Sequence, residues 1–193
     1  MSTDVYTQRD VRLNFSQILL SATSNASLRC PALCKLVLPP VLRILRLRLT
    51  AKLVKYATDF EIAYRTDCWN RVAQHFAVDA TYEVRNADFA CMLEGRDAIV
   101  DGFKRSLDGF DRHLRRKMSV VEGPHEDSEQ LSFVWFGRYT ASNAPTLELS
   151  ARQTLSFCDD KISSLVDDYL PGYGAKATSW IETHRPDLNP TYK

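Results

Sequence analysis

Between His113 and Tyr169 the chain spells four β-strands in succession: His113–Glu122, Gln130–Thr140, Thr146–Cys158 and Ile162–Tyr169. Only turn-forming residues separate them, at Gly123 and Pro124, Asn143 to Pro145, and Asp159 and Asp160. Connections this short suit antiparallel neighbours in a meander. Such a sheet buries one face, and the segments available to cover it are the helical ones elsewhere in the chain. Strong curvature would turn that covered face into a cone around a cavity.

The helical periodicity is clear. Leu53, Tyr56, Ala57, Phe60, Ala63 and Tyr64 recur at three- and four-residue spacings within a helix over 50–66. Asp67 is placed to cap a second helix, Trp69–Phe76, with Trp69, Val72, Ala73 and Phe76 inward. A first strand over Ala80–Arg85 follows, carrying Tyr82 and Val84 on one side and Thr81, Glu83 and Arg85 on the other. A third helix, Arg96–Leu107, ends at Gly109.

The remainder divides unevenly. Residues 11 to 58 hold eight Lys or Arg and no acid, whereas residues 59 to 193 carry 22 acids against 16 bases, so the net charge of +1 conceals two different materials. Residues 1–49 read as a basic extension, poorly ordered over 1–29 and helical from Pro39 and Pro40, with proline suited to the first turn. Residues 50–170 read as one domain of ordinary size. Residues 171–193 form a tail with a short helix, Ala175–His184. An odd set of five cysteines without metal-ligand spacing reads as reduced thiols, which fits a cytoplasmic protein. The first residues lack the layout of a secretory signal, and no uncharged apolar run reaches membrane-spanning length. His75, His125 and His184 fit no metal-ligand spacing, so no metal is expected. The basic run Arg112–Lys117 reads as a solvated strand face and not as a nucleic-acid surface, because the domain around it is acidic.

The order helix, helix, strand, helix and four antiparallel strands resembles the nuclear transport factor two-like superfamily, and in particular its SnoaL-like branch. The residues that carry the resemblance are Asp67 and Trp69, Phe76 with Asp79 to Tyr82, Gly95 to Ile99, and Lys161 to Tyr169. It implies an α+β fold, a curved antiparallel sheet wrapped around three helices to form a cone-shaped pocket. The same scaffold hosts polyketide cyclases, ketosteroid isomerases, epoxide hydrolases, dehydratases and members without catalysis.

Enzymes of this kind work without cofactors, using carboxylates, His or Tyr inside the cone. By resemblance to limonene epoxide hydrolase the catalytic carboxylate is Asp168, beside Tyr169; counting from Lys161 places it instead on Asp167. Adjacent strand residues face opposite ways, so at most one of the two is inside. The rest of the hydrolase pattern is not reproduced, since Val134, Phe136 and Arg138 stand in the matching strand; Arg138 is then expected to pair with Asp168 or bind an anion. The ketosteroid isomerase positions fall on Val84, Phe60 and Gln153, of which only Gln153 can donate to a carbonyl. His113 matches the place of a pocket histidine in dehydratase relatives. Tyr64 and Tyr82 are inward phenols, with Phe60 and Trp69 as apolar wall.

The expected function is therefore cofactor-independent acid–base chemistry, of lyase, isomerase or hydrolase type, on a small apolar molecule bearing a carbonyl or hydroxyl. The competing reading is a binding or dimeric accessory domain with the same cone and no chemistry. The expected partners are a small-molecule ligand and a second copy of the chain.

Overall fold

The computed structural model describes residues 40–193, with side chains from Leu49 onward. The expected disorder over residues 1–29 falls outside the described residues. The elements in order are α1 (Pro40–Thr66), α2 (Asn70–Ala73), β1 (Phe76–Arg85), β2 (Cys91–Glu94), α3 (Arg96–Gly109), a 3-10 turn (Asp111–His113), β3 (Arg115–Asp127), β4 (Gln130–Ala141), β5 (Ala144–Cys158), β6 (Lys161–Tyr169) and α4 (Tyr173–His184). No helix among the described residues is long and apolar enough to cross a membrane.

The long helix α1 runs without interruption through the predicted boundary at residue 50 and buries Leu49, Leu53, Tyr56 and Ala63. Asp59, itself buried, points off this face into a polar cluster. Its carboxylate accepts from Arg71 Nη1 at 3.0 Å, Gln74 Nε2 at 3.3 Å and His75 Nε2 at 2.9 Å. These bonds tie α1 to α2 and to the start of β1. Burial pushes the Asp59 carboxyl up, but the hydrogen bonds from His75 and Arg71 outweigh it and hold the group below its ordinary value. The stability it contributes is therefore present above the carboxylate's unfolded pKa and is lost as pH falls through the lower folded one. Replacing Asp59 with alanine is expected to cost about 1.5–3 kcal/mol at neutral pH, read by urea denaturation. A variant as stable as the parent would make this cluster incidental.

Several local expectations change in the folded chain. Asp67 does not cap α2: it adopts φ 61°, and its carboxylate takes the Trp69 indole N–H at 2.7 Å and Lys104 Nζ at 2.9 Å. Phe76 starts β1 instead of ending a helix, so α2 is a single turn. β2, which pairs antiparallel with β1, occupies a segment to which the sequence assigns no element. Gly123 and Pro124 are not a turn but lie within β3, where the pairing to β4 shifts register.

Among the described residues the strands form one sheet in the order β2-β1-β6-β5-β4-β3. Four consecutive strands, β3 to β6, make the antiparallel meander, and β6 returns beside β1 in the same direction, giving one parallel pairing. The inner face of this curved, unclosed sheet carries Tyr82 and Val84 of β1, Leu165 and Tyr169 of β6, Leu149 and Leu155 of β5, and Phe133 and Tyr139 of β4, all buried. Gly137 interrupts the row on β4; a Cβ there would sit 2.9 Å from Met118 Sδ and 3.0 Å from the Tyr139 ring. The missing side chain is what lets Met118 and Tyr139 fold over the strand.

Candidate active site

Helices α1, α3 and α4 cover the inner face without filling it, and a cavity of about 780 Å³ remains. This size is in the range of small-molecule sites. Its wall is largely aromatic and aliphatic, with Tyr56 and Phe60 from α1, Phe103 from α3 and Ile181 from α4 facing the sheet.

One carboxylate stands in that wall without a counter-ion. Asp167 is buried, and among the described residues it forms no salt bridge; its partners are neutral donors. Gln153 Nε2 at 2.8 Å and the Trp135 indole N–H at 3.2 Å both donate to Oδ1, and the Tyr82 hydroxyl donates to Oδ2 at 2.9 Å. Register explains the convergence: Val84, Asp167, Gln153 and Phe133 lie side by side across β1, β6, β5 and β4, with Tyr82 and Trp135 two residues along. Burial raises the Asp167 carboxyl above its ordinary value, and the three donors oppose this without cancelling it. A carboxylate oxygen accepts at two lone-pair positions, so Oδ1 is filled by the protein while Oδ2 retains one open position.

A second polar group lies on the same inner face, four residues along β4 from Trp135, or about 13 Å of strand. There Arg116 is buried against Glu61, with Nη2 to Oε1 2.5 Å, and against Asp111, with Nη1 to Oδ1 3.5 Å. The guanidinium also lies over the Tyr64 ring, 4.2 Å from its centroid, and Tyr139, the β4 partner of Arg116, turns its hydroxyl toward Met118 Sδ at 4.0 Å. Burial pushes the Asp111 carboxyl up, while Arg116 pulls it down by less.

The predicted site residues separate accordingly. Phe60, Tyr64, Tyr82, Gln153 and Asp167 line the cavity. Asp168, the preferred aspartate, does not: strand alternation turns it to the outer face, where Asn86 Nδ2 donates to it at 2.5 Å. Arg138 is likewise on the outer face and pairs with Glu148 at 2.9 Å instead of with Asp168. His113 belongs to the 3-10 turn and not to a strand; its exposed ring bonds the Asp108 carbonyl at 2.9 Å. Trp69 is core, edge-on to Phe60 at 6.0 Å, and lies outside the cavity wall. The basic run also divides, because the Arg116 side chain is only 9% exposed while Arg115 and Lys117 are exposed.

Two parts of the wall were not anticipated. Arg116 shares strand parity with Met118 and Val120, a pattern visible in the sequence but masked by its basic neighbours. Tyr192, near the end of the tail, carries no periodic signal at all, yet it lines the cavity.

The architecture and the wall together decide the fold. The chain has the nuclear transport factor two-like fold. A nuclear transport factor two-like protein of unknown function from Burkholderia pseudomallei superposes with a TM-score of 0.52 at 16% identity, over 67% of this chain and 97% of that one. One from Anabaena variabilis gives 0.53 at 13% identity, over 65% and 91%. TerC, crystallised with polyporic acid, gives 0.51 at 15% identity, over 70% and 98%. No family model matches the sequence, and no curated protein does. At these identities the nuclear transport factor two-like likeness is one of backbone, so the chemistry rests on the side chains of this chain.

Proposed function

We propose that the cavity binds a small, uncharged, largely apolar molecule bearing a carbonyl or hydroxyl, and that Asp167 is the general base acting on it. The supporting observation is a buried carboxylate that has no cation beside it, a raised pKa and one open lone pair on Oδ2. For a ketone, the step is removal of a proton from the carbon next to the carbonyl: the C–H electron pair moves to the oxygen as the enolate forms, and Oδ2 holds the proton. Gln153 spends one N–H on Asp167 and keeps a second, which can donate to the enolate oxygen. The apolar wall excludes water and favours a neutral ligand, since burying an anion beside Asp167 would place like charges together.

A binding role without chemistry draws on one observation, that protein donors already occupy three of the carboxylate's acceptor positions. The two readings part in a single experiment. The protein is incubated with 2-tetralone in deuterated buffer, and deuterium entry next to the carbonyl is followed by NMR. Protein-dependent exchange that disappears in Asp167→Asn supports the base; binding of the ketone with exchange at the buffer rate supports the binding domain.

A further inference from the structure

The last residues of the chain do not trail into solvent. Beyond α4 the backbone returns across α3 and is held there at successive points: Asn189 N–H donates to the Gly109 carbonyl at 3.0 Å, Ser106 Oγ donates to the Pro190 carbonyl at 3.0 Å, and Arg105 Nη1 donates to the Tyr192 carbonyl at 2.8 Å. Leu188 is buried alongside. The helix face beneath carries only small residues, which admits this close approach. A Cβ on Gly109 would lie 2.2 Å from the Asn189 carbonyl oxygen, and one on Gly102 would lie 3.2 Å from that of Tyr192. Gly102, Ser106 and Gly109 recur at helical spacing on one face.

What the segment delivers is Tyr192. Its ring lies 5.3 Å from the Tyr82 ring at 61°, inside the cavity wall. The contact is edge to face, and it seats the ring whose hydroxyl donates to Asp167 Oδ2 at 2.9 Å. The other titratable groups near Asp167 are Tyr56 from α1, Tyr169 from β6 and Cys91 from β2, all neutral in their ordinary state.

We infer that residues 188–193 are part of the site: a strap seated on the Gly102, Ser106 and Gly109 face of α3 that closes one wall of the cavity and makes Tyr192 the positioning residue for Tyr82 and Asp167. Its use in proton transfer rests on the reading of Asp167 as a base; its placement of the phenol and its closure of the wall do not.

Two variants of the full chain test it. Tyr192→Ala removes the ring that packs on Tyr82 and closes the wall. Gly109→Ala lies outside the cavity, improves the helix's own propensity, and forces the strap off through its Cβ. The readouts are the 13C carboxyl titration of Asp167, assigned by its disappearance in Asp167→Asn, and the fluorescence-detected binding of 2-naphthol, a neutral hydroxyl-bearing probe. Both variants open that wall to water and relieve the burial of the carboxylate, so both are expected to move the Asp167 midpoint downward and to weaken 2-naphthol binding about two- to tenfold. If both leave the midpoint and the binding unchanged, the strap is surface packing and the inference fails. Should Gly109→Ala not fold, Tyr192→Ala decides alone by the same readouts. Neither readout needs turnover: an absent tetralone exchange with a Tyr192-dependent midpoint would overturn the base and leave the strap standing.

Discussion

Asp167→Asn is expected to lower tetralone exchange by at least about 10²-fold, the usual share of a positioned general base, while making the folded protein more stable at neutral pH. Both effects come from the same burial. Asparagine keeps the shape: its carbonyl oxygen can receive Gln153 and Trp135 where Oδ1 does now, and the Tyr82 hydroxyl can turn to accept from the amide. The proton acceptor is gone, and so is a charge that no cation balances. Because burial raises the folded pKa of Asp167 above its unfolded value, folding is favoured most below the unfolded pKa and is penalised as pH rises through the folded one. Wild type should thus gain stability as the solution is acidified across that window, apart from the opposite trend of Asp59, and the gap to Asp167→Asn should close. Urea denaturation at pH 8 and at pH 5 measures the gap directly. A variant less stable than wild type at pH 8 would show that the three donors need an anion, and that Asp167 is an anchor.

At the second polar group, Arg116→Met should destabilise the protein by about 3–5 kcal/mol, the usual cost of breaking a buried ion pair from one side. Arg116 is the cation between Glu61 and Asp111, and methionine leaves two enclosed carboxylates facing each other. Asp111 is already raised by burial with the guanidinium in place; without it the Asp111 carboxyl rises further. The loss should therefore shrink as pH falls and Asp111 takes up a proton. Adding Glu61→Gln to Arg116→Met should restore part of the stability. Denaturant midpoints at pH 7.5 and 5 test both statements, and a loss below about 1 kcal/mol would mean that water reaching the cluster already solvates it.

Much of the candidate site was within reach of the sequence. In β6, Leu165, Asp167 and Tyr169 share one parity and Ser164, Val166 and Asp168 the other, so the apolar register of Leu165 and Tyr169 already singles out Asp167. Placing the aspartate by its neighbour Tyr169 alone misses by one residue, and one residue reverses the face. Gln153 and Tyr82 are legible in the same way, from alternation within β5 and β1. Arg138 and His113 were not, because an exposed salt bridge to Glu148 and a 3-10 turn leave no periodic mark.

Periodicity is a local property, and it marks the long helices, the meander strands and the buried parity within them, but not β2, the single turn of α2 or the inward placement of Tyr192. Sequence alone therefore specified which strand and helix positions can point inward. Only the tertiary structure decided which of them meet. The parallel return of β6 to β1 brings Tyr82 to Asp167, 85 positions away in the chain. The strap along α3 brings Tyr192 to Tyr82, and the fold gathers Glu61, Asp111 and Arg116 around one charge. Such meetings depend on register between distant strands and on the close approach allowed by Gly102 and Gly109, neither of which any short window of residues contains.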